Sequence, residues 1–307
     1  MSQQSTKHIF LVKPANFGFN NETVQSNAFQ NTIKESNTSL NEVVLAEFND
    51  FENTLISNGV NVIVFNDTST PINPDAIFPN NWISLHEIGK VIIYPMLAPN
   101  RRTEVNEDFI NQIATCFEIK ELVDLRHYES QNRFLEGTGS IVFNHKAKIA
   151  YACLSERTDK KIFEEVCEIL GYQPISFKSV DSNNNPIYHT NVMMCIGTKF
   201  ATICLESIKD IPEKEKVISS LKKSGLAIVD IDYQQLKSFA GNMLELTNKD
   251  NNKIVALSQS AFNSLTITQK QVIENNAKLL PLKIPTIETI GGGSARCIIA
   301  EIFLEKK

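Results

Sequence analysis

The sequence predicts an α/β chain organised as about five repeated units, each of two strands, a helix and a third strand. Three observations carry that prediction. From the second onward, stretches with helical periodicity recur at a spacing of about 55 residues. Short β-rich runs outnumber the helical stretches about three to one. No low-complexity segment interrupts the series, and Asn183-Asn184-Asn185 and Asp250-Asn251-Asn252 read as turns. A fixed period of this kind suggests a closed, pseudo-symmetric ring, one α/β-propeller domain spanning residues 1–307. The alternative is an ordinary mixed α/β domain whose even spacing is accidental.

The elements follow in order. The first helical stretch runs from Leu40 to Asn58, with Ser39 and Glu42 spaced as a capping box. The second lies near Val105–Cys116. The third lies near Asp159–Leu170, where Ile162, Phe163, Val166, Ile169 and Leu170 form one apolar stripe and Gly171 reads as the stop. The fourth covers Pro212–Lys223, with proline at its start and Gly225 beyond its end. The fifth covers Gln269–Ala277, with Thr268 and Gln271 spaced as a capping box. The strand-like runs are His8–Lys13, Val60–Phe65, Trp82–His86, Val91–Tyr94, Glu121–Leu125, Ser140–Asn144, Ile149–Leu154 and Pro174–Lys178. They continue as Val192–Ile196, Ala201–Leu205, Ala227–Ile231, Met243–Thr247, Ile254–Leu257, Leu279–Pro281 and Cys297–Leu304.

Composition narrows the function. The chain has 307 residues, 42% of them hydrophobic, ample for a globular core. The formal net charge is −5 and no basic stripe appears, which argues against nucleic acid as a partner. No apolar run approaches the roughly 20 residues of a membrane helix, and the start, MSQQSTKHIF, lacks a secretory h-region. The six cysteines contain no C-x-x-C pair, which argues against a zinc cluster or a disulfide scaffold. A cytoplasmic protein with reduced thiols is the expectation. Oligomeric state is not legible.

In a ring, strand ends from different units converge on one axial cavity, so unusual polar residues at such ends are the candidates. Four places qualify, each in a different unit: Phe78-Pro79-Asn80-Asn81-Trp82, Glu136-Gly137-Thr138-Gly139, Tyr188-His189-Thr190-Asn191, and Gly291-Gly292-Gly293-Ser294-Ala295-Arg296-Cys297. A phosphate cradle is a weak reading of the last segment, because that motif needs a helix N-terminus and the residues after Cys297 read as a strand. Cysteine, histidine and glutamate together suit covalent catalysis. The thiolate attacks, a neighbouring imidazolium lowers its pKa, and a carboxylate orients the histidine. On that basis, labelling at mildly acidic pH should single out an activated thiol. The other cysteines, 116, 153, 167, 195 and 204, fall in apolar-patterned segments and read as core. His8, His86, His127 and His145 read as structural or solvated.

With these segments in hand, the chain resembles the guanidine-modifying superfamily of arginine deiminases, dimethylarginine hydrolases and amidinotransferases. The resemblance implies the five-bladed α/β propeller called the pentein fold. Family motifs run F-x-R-D, E-G-G-D, H-x-D, then a glycine-rich segment ending in cysteine, and the four segments match that order. The resemblance implies Cys297 as nucleophile, His189 as general acid/base and Glu136 as its partner. It also implies Arg157, with Arg101 or Arg102, as holders of a substrate carboxylate, Phe78 as a site residue, and no metal or organic cofactor.

The departures bear on the substrate. Where deiminases present aspartates to a guanidinium, this chain has Asn81 and Asn191, and Gly139 stands at the last position of E-G-G-D. A guanidinium buried without counter-charge costs several kcal/mol. A ureido group is neutral, and two amides supply the donor and acceptor it needs. Citrulline hydrolysis to ornithine, carbon dioxide and ammonia is therefore the expected reaction, in the manner of citrulline ureidases. The alternatives are a guanidino hydrolase or deiminase drawing charge from Asp75 or Glu87, an amidinotransferase, or a non-catalytic propeller that only binds.

Overall fold

The computed structural model describes residues 3–27, 29–31 and 37–307. Its strands are β1 (His8–Lys13), β2 (Asn61–Asn66), β3 (Ile83–Leu85), β4 (Lys90–Ile93), β5 (Glu121–Asp124), β6 (Val142–Asn144), β7 (Ile149–Cys153) and β8 (Gln173–Phe177). The series continues with β9 (Met194–Ile196), β10 (Phe200–Ile203), β11 (Ala227–Asp230), β12 (Leu244–Thr247), β13 (Lys253–Ser258), β14 (Lys278–Leu282) and β15 (Ala300–Ile302). Each falls on one of the expected runs.

The strands pair in one repeating pattern, an antiparallel pair extended by a parallel strand. It holds for β3-β4-β5, β6-β7-β8, β9-β10-β11 and β12-β13-β14. The remaining set joins the two ends of the chain: β15 pairs antiparallel with β1, and β1 pairs parallel with β2. A single pairing, Ile302↔Leu85, fuses that set to β3-β4-β5 as one six-stranded sheet beside three three-stranded ones. In every set the longer helices fall in sequence between the second and third strands, because a parallel neighbour requires a crossover. They are Asn37–Ser57, Glu107–Cys116, Lys160–Leu170 and Ile211–Lys223, and in the last set the pair Gln259–Ser264 and Ile267–Glu274.

The helix Lys160–Leu170 shows how the sequence writes these crossovers. Asp159 accepts from the amides of Lys161 and Ile162 at the N-cap, and Gly171 closes the helix at φ +72°. Ile162, Phe163, Val166 and Leu170 are buried in one cluster with Ala150 and Ala152 of β7. The last helix departs from expectation by two residues. Its capping box is Thr266 with Gln269, because two threonines each stand three residues before a glutamine and the earlier one follows the buried Leu265. The side chain of Ser39 lies outside the described residues, as does the box expected there.

A further difference concerns the site. Strands expected to begin at Ser140, Val192 and Cys297 are each preceded by one helical turn: Gly137–Ser140, Thr190–Met193 and Ala295–Ile298. A 3-10 turn, Pro79–Asn81, precedes β3 in the same way. β-branched residues in these runs favour a strand reading, yet the turns are held by backbone bonds such as Cys297 N–H to Ser294 O at 2.9 Å.

Candidate active site

The four turns bring Asn81, Glu136, His189 and Cys297 into one buried cluster. Glu136 is fully enclosed and its carboxylate is fully used. Oε1 accepts from the Leu97 amide at 3.0 Å. Oε2 accepts from His189 Nε2 at 2.8 Å and faces Arg157 Nη1 at 3.4 Å. Burial alone would push this carboxyl up, but Arg157 first, and then the His189 hydrogen bond, hold it well below the usual carboxylate range. An ionised partner accepts only, so His189 carries its proton on Nε2 and leaves Nδ1 as the basic nitrogen. Burial lowers His189 to about 4 against the opposing pull of Glu136, so the imidazole is neutral near pH 7.

Cys297 is buried as well, and burial pushes its thiol up from the usual cysteine range. The Ser294 backbone, the amide of Asn242, the charge of Arg296 and the amide of Asn191 oppose that push. The resting pair is therefore neutral thiol and neutral imidazole. Burial thus runs against the standing imidazolium of the sequence reading, because the enclosed site disfavours a charged histidine, and labelling of Cys297 at mildly acidic pH is the measurement that decides between them.

Cys297, His189, Asn81, Phe78, Arg101 and Arg157 line one small cavity together with Thr23, Asn27, Asp75, Tyr188 and Gly291–Gly293. Its volume is about 20 Å³, room for about one water molecule. A larger cavity of about 470 Å³, bordered by Phe29, Tyr233, Phe239 and Glu288, is lined by no cysteine or histidine. The Phe78 ring lies against the glycine-rich segment so closely that a Cβ on Gly291 or Gly293 would stand 2.7 or 2.9 Å from it. Gly291 and Gly293 thus admit an aromatic ring beside Cys297.

The arginines separate. Arg101 is buried, with Nη1 donating to Asn81 Oδ1 at 2.8 Å and both Nε and Nη2 donating to Glu104 at 2.8 Å. Arg157 donates through Nε and Nη2 to Ser26 Oγ at 3.0 and 2.5 Å, and through Nη2 to Thr23 O at 3.0 Å. Arg102 does not line the cavity. Its guanidinium donates to Met96 O and Leu97 O and faces Glu129 at 3.4 Å, which removes it from the candidate pair. Of the two alternative acids, Asp75 lines the cavity and its Oδ1 has no partner, whereas Glu87 is exposed and bonded to Lys148.

The two expected amides fall in different places: Asn81 lines the cavity of Cys297 and Asn191 does not. Asn81 faces the cavity, and its Nδ2 has no hydrogen-bond partner. Asn191 Nδ2 lies 3.6 Å from Cys297 Sγ, its Oδ1 has no partner, and the residue lines a separate cavity of about 30 Å³ with Gln4, Glu245, Arg296 and Glu301. Sequence reasoning missed Asn242, whose Nδ2 is 3.2 Å from Cys297 Sγ. The signal was present: four units contribute a turn ahead of their first strand, and Gly241-Asn242 stands in that place ahead of β12.

A family model described as N,N dimethylarginine dimethylhydrolase, eukaryotic, matches residues 13–304. No curated protein matches the chain significantly in sequence. Among solved structures, the N-terminal domain of ArgZ, an arginine dihydrolase from the ornithine–ammonia cycle in Cyanobacteria, superposes with a TM-score of 0.74 at 16% identity, covering 97% of this chain and 98% of that one. The chain spans 40% of full-length ArgZ. Dimethylarginine dimethylhydrolase from Pseudomonas aeruginosa, in a cysteine-to-serine variant complexed with citrulline, superposes at 0.66 with 14% identity, over 97% and 99% of the two chains. These similarities establish the α/β fold of the pentein structures. Among the described residues, no helix is long and apolar enough to cross a membrane.

Proposed function

Because the chain belongs to the N,N dimethylarginine dimethylhydrolase family, and through it to the hydrolases of the pentein superfamily, we propose that it cleaves the ureido group of citrulline, giving ornithine, carbon dioxide and ammonia. In this reading residues 1–307 form one catalytic domain, and the five strand sets close around an axis as a five-bladed propeller. The observation that carries the substrate is Asn81 Nδ2, an unpartnered buried amide donor in the cavity of Cys297; Asn191, which borders the neighbouring cavity and reaches Cys297 Sγ with Nδ2 at 3.6 Å, adds an unpartnered acceptor, Oδ1. A ureido carbonyl needs a donor and its nitrogens need an acceptor, and the amides supply both without charge. The one carboxylate bonded to His189, Glu136, has both oxygens engaged and none left for a guanidinium.

Cys297 attacks the ureido carbon as its thiol proton passes to His189 Nδ1. A carbon–sulfur bond forms, and the carbon–nitrogen bond to the leaving amine breaks as His189 returns the proton to that nitrogen. Water, activated by His189, then hydrolyses the S-carbamoyl intermediate and frees the thiol. The carbamic acid product separates into carbon dioxide and an amine. Glu136 stabilises the transient imidazolium. Arg157 and Arg101 hold the α-carboxylate and Asp75 Oδ1 accepts from the α-ammonium. Since the cavity holds about one water, entry requires displacement of Thr23–Asn27, whose neutral bonds to Arg157 a substrate carboxylate can replace.

A second reading rests on Asp75, whose free carboxylate oxygen in the cavity offers charge to a guanidinium, so that arginine or a methylated arginine would be the substrate. A substrate panel on the purified protein separates the two. Ornithine release from citrulline with poor arginine turnover supports the ureido reading; strong arginine turnover with none on citrulline rejects it. Cys297→Ala should abolish turnover while the protein stays folded.

A further inference from the structure

We infer that Asn242 is a positioning residue for the sulfur of Cys297, and that its side-chain amide stabilises the thiolate when it forms. The inference rests on Cys297 being the nucleophile, not on which substrate it attacks. Asn242 is fully buried and is not among the residues that line the substrate cavity. Its carboxamide is fixed from three sides. Oδ1 accepts from the Arg296 amide at 3.0 Å, which sets the orientation of the group. One hydrogen of Nδ2 goes to Asn191 O at 2.9 Å. The other has Cys297 Sγ before it at 3.2 Å, well within the reach of a hydrogen bond to sulfur. The polar capacity of this side chain is spent on the backbone beside His189, on the backbone beside Cys297 and on the sulfur itself.

The chemistry gives that donor a purpose. Burial disfavours the thiolate, and the neutral His189 offers no standing positive charge to offset it. The anion formed on proton transfer is therefore stabilised by fixed N–H donors, Asn242 foremost and Asn191 at 3.6 Å, aimed where the charge appears. Fixing Asn191 O and Arg296 N–H also ties the turn Thr190–Met193 to the turn Ala295–Ile298, so the histidine and cysteine segments keep a constant relation.

The test needs no substrate at its first stage. Iodoacetamide alkylation of Cys297 is followed by peptide mass as a function of pH in the wild type, in Asn242→Asp and in Asn242→Ala. Asn242→Asp keeps the acceptor for Arg296 N–H and turns an oxygen toward the sulfur; Asn242→Ala removes the donor. In both, the alkylation midpoint should move up by about one pH unit, the loss expected for one hydrogen bond to a charged group. With whichever substrate the panel identifies, kcat should fall about tenfold while KM changes less than about twofold, since Asn242 does not line the cavity. A folded variant with the wild-type midpoint overturns the inference, even if kcat falls. If both variants fail to fold, Asn242 is a structural residue and the inference is likewise overturned. Because alkylation reads the thiol alone, its failure is distinguishable from failure of the citrulline reading.

Discussion

A Cβ at position 139 would stand 2.4 Å from Asn81 Nδ2 and 2.8 Å from His189 Nδ1, so this glycine is where the two functional turns close on each other. The family pattern sets an aspartate there, and the packing shows why this chain cannot: the room is taken by the amide and the imidazole. Gly139→Ala should therefore lower both stability and turnover, by about 1–3 kcal/mol for the forced displacement and by a larger factor in kcat than in KM. Thermal denaturation and steady-state kinetics check it, and an unchanged kcat would show that His189 tolerates displacement. A second residue contributes to behaviour in acid, beside the buried His145 and His189, which burial also lowers. His86 is buried with Nε2 on Ser84 Oγ at 2.6 Å, and burial lowers it from 6.5 to about 3. Above pH 6.5 both folded and unfolded chains carry it neutral, so it costs nothing. Between 6.5 and about 3 only the unfolded chain takes the proton, so stability falls with falling pH, on the order of a few kcal/mol across that window. His86→Gln cannot take that proton, so the difference in urea stability between pH 7 and pH 4.5 should be smaller than in the wild type. Parallel curves for the two proteins would remove His86 as a cause.

At the scale of elements, the helix Lys160–Leu170 separates two costs that often mix. Asp159→Ala removes the acceptor for two terminal amides and should cost about 1–2 kcal/mol; its half-exposed ion pair with Arg133 adds little. Gly171→Ala meets no atom within 4 Å, so its cost, about 1 kcal/mol, is purely the left-handed backbone at φ +72°. Urea denaturation of each variant and of the pair should give additive losses if the caps act independently. This helix was legible because a cap, an apolar stripe and a stop glycine agree with one another. The fifteen strand runs were legible for a similar reason, each being short, β-branched and bounded by turn residues. The single turns ahead of the strands were not. Residues such as Ile298 and Val192 carry strand propensity, and only tertiary packing imposes the turn. Cys297, Glu136 and His189 could be found because glycine spacing and unusual polarity mark them in the chain. Asn242 carries no such mark of its own, and only the repeat would have pointed to it. That Arg101 lines the cavity while Arg102 does not is likewise a matter of which of two neighbours a 3-10 turn buries.

For the whole molecule, the sequence order hides the most consequential contact. β15, from the last residues of the chain, pairs with β1 from the first and touches β3, and it begins two residues after the turn that carries Cys297. Pairing the two ends of the chain therefore also fixes the backbone just beyond Cys297. A linear array of repeats unfolds as a sum of neighbouring interfaces and can fray from either end. A chain whose end-joining set takes its first strand, β15, from the C-terminal segment has both terminal strands paired, so it should unfold as one unit. Ile302→Ala tests this. Ile302 is buried, pairs across to His8 and along to Leu85, and accepts a hydrogen bond on its carbonyl from Thr6 Oγ1 at 2.6 Å. The cavity left should cost about 2–5 kcal/mol. If closure couples the units, the loss shifts a single unfolding transition, and fluorescence at Trp82 and far-ultraviolet circular dichroism report the same midpoint. If the sets are independent, the variant should instead lose β15 and β1 first, with an early transition seen by one probe and a second at the wild-type midpoint seen by the other.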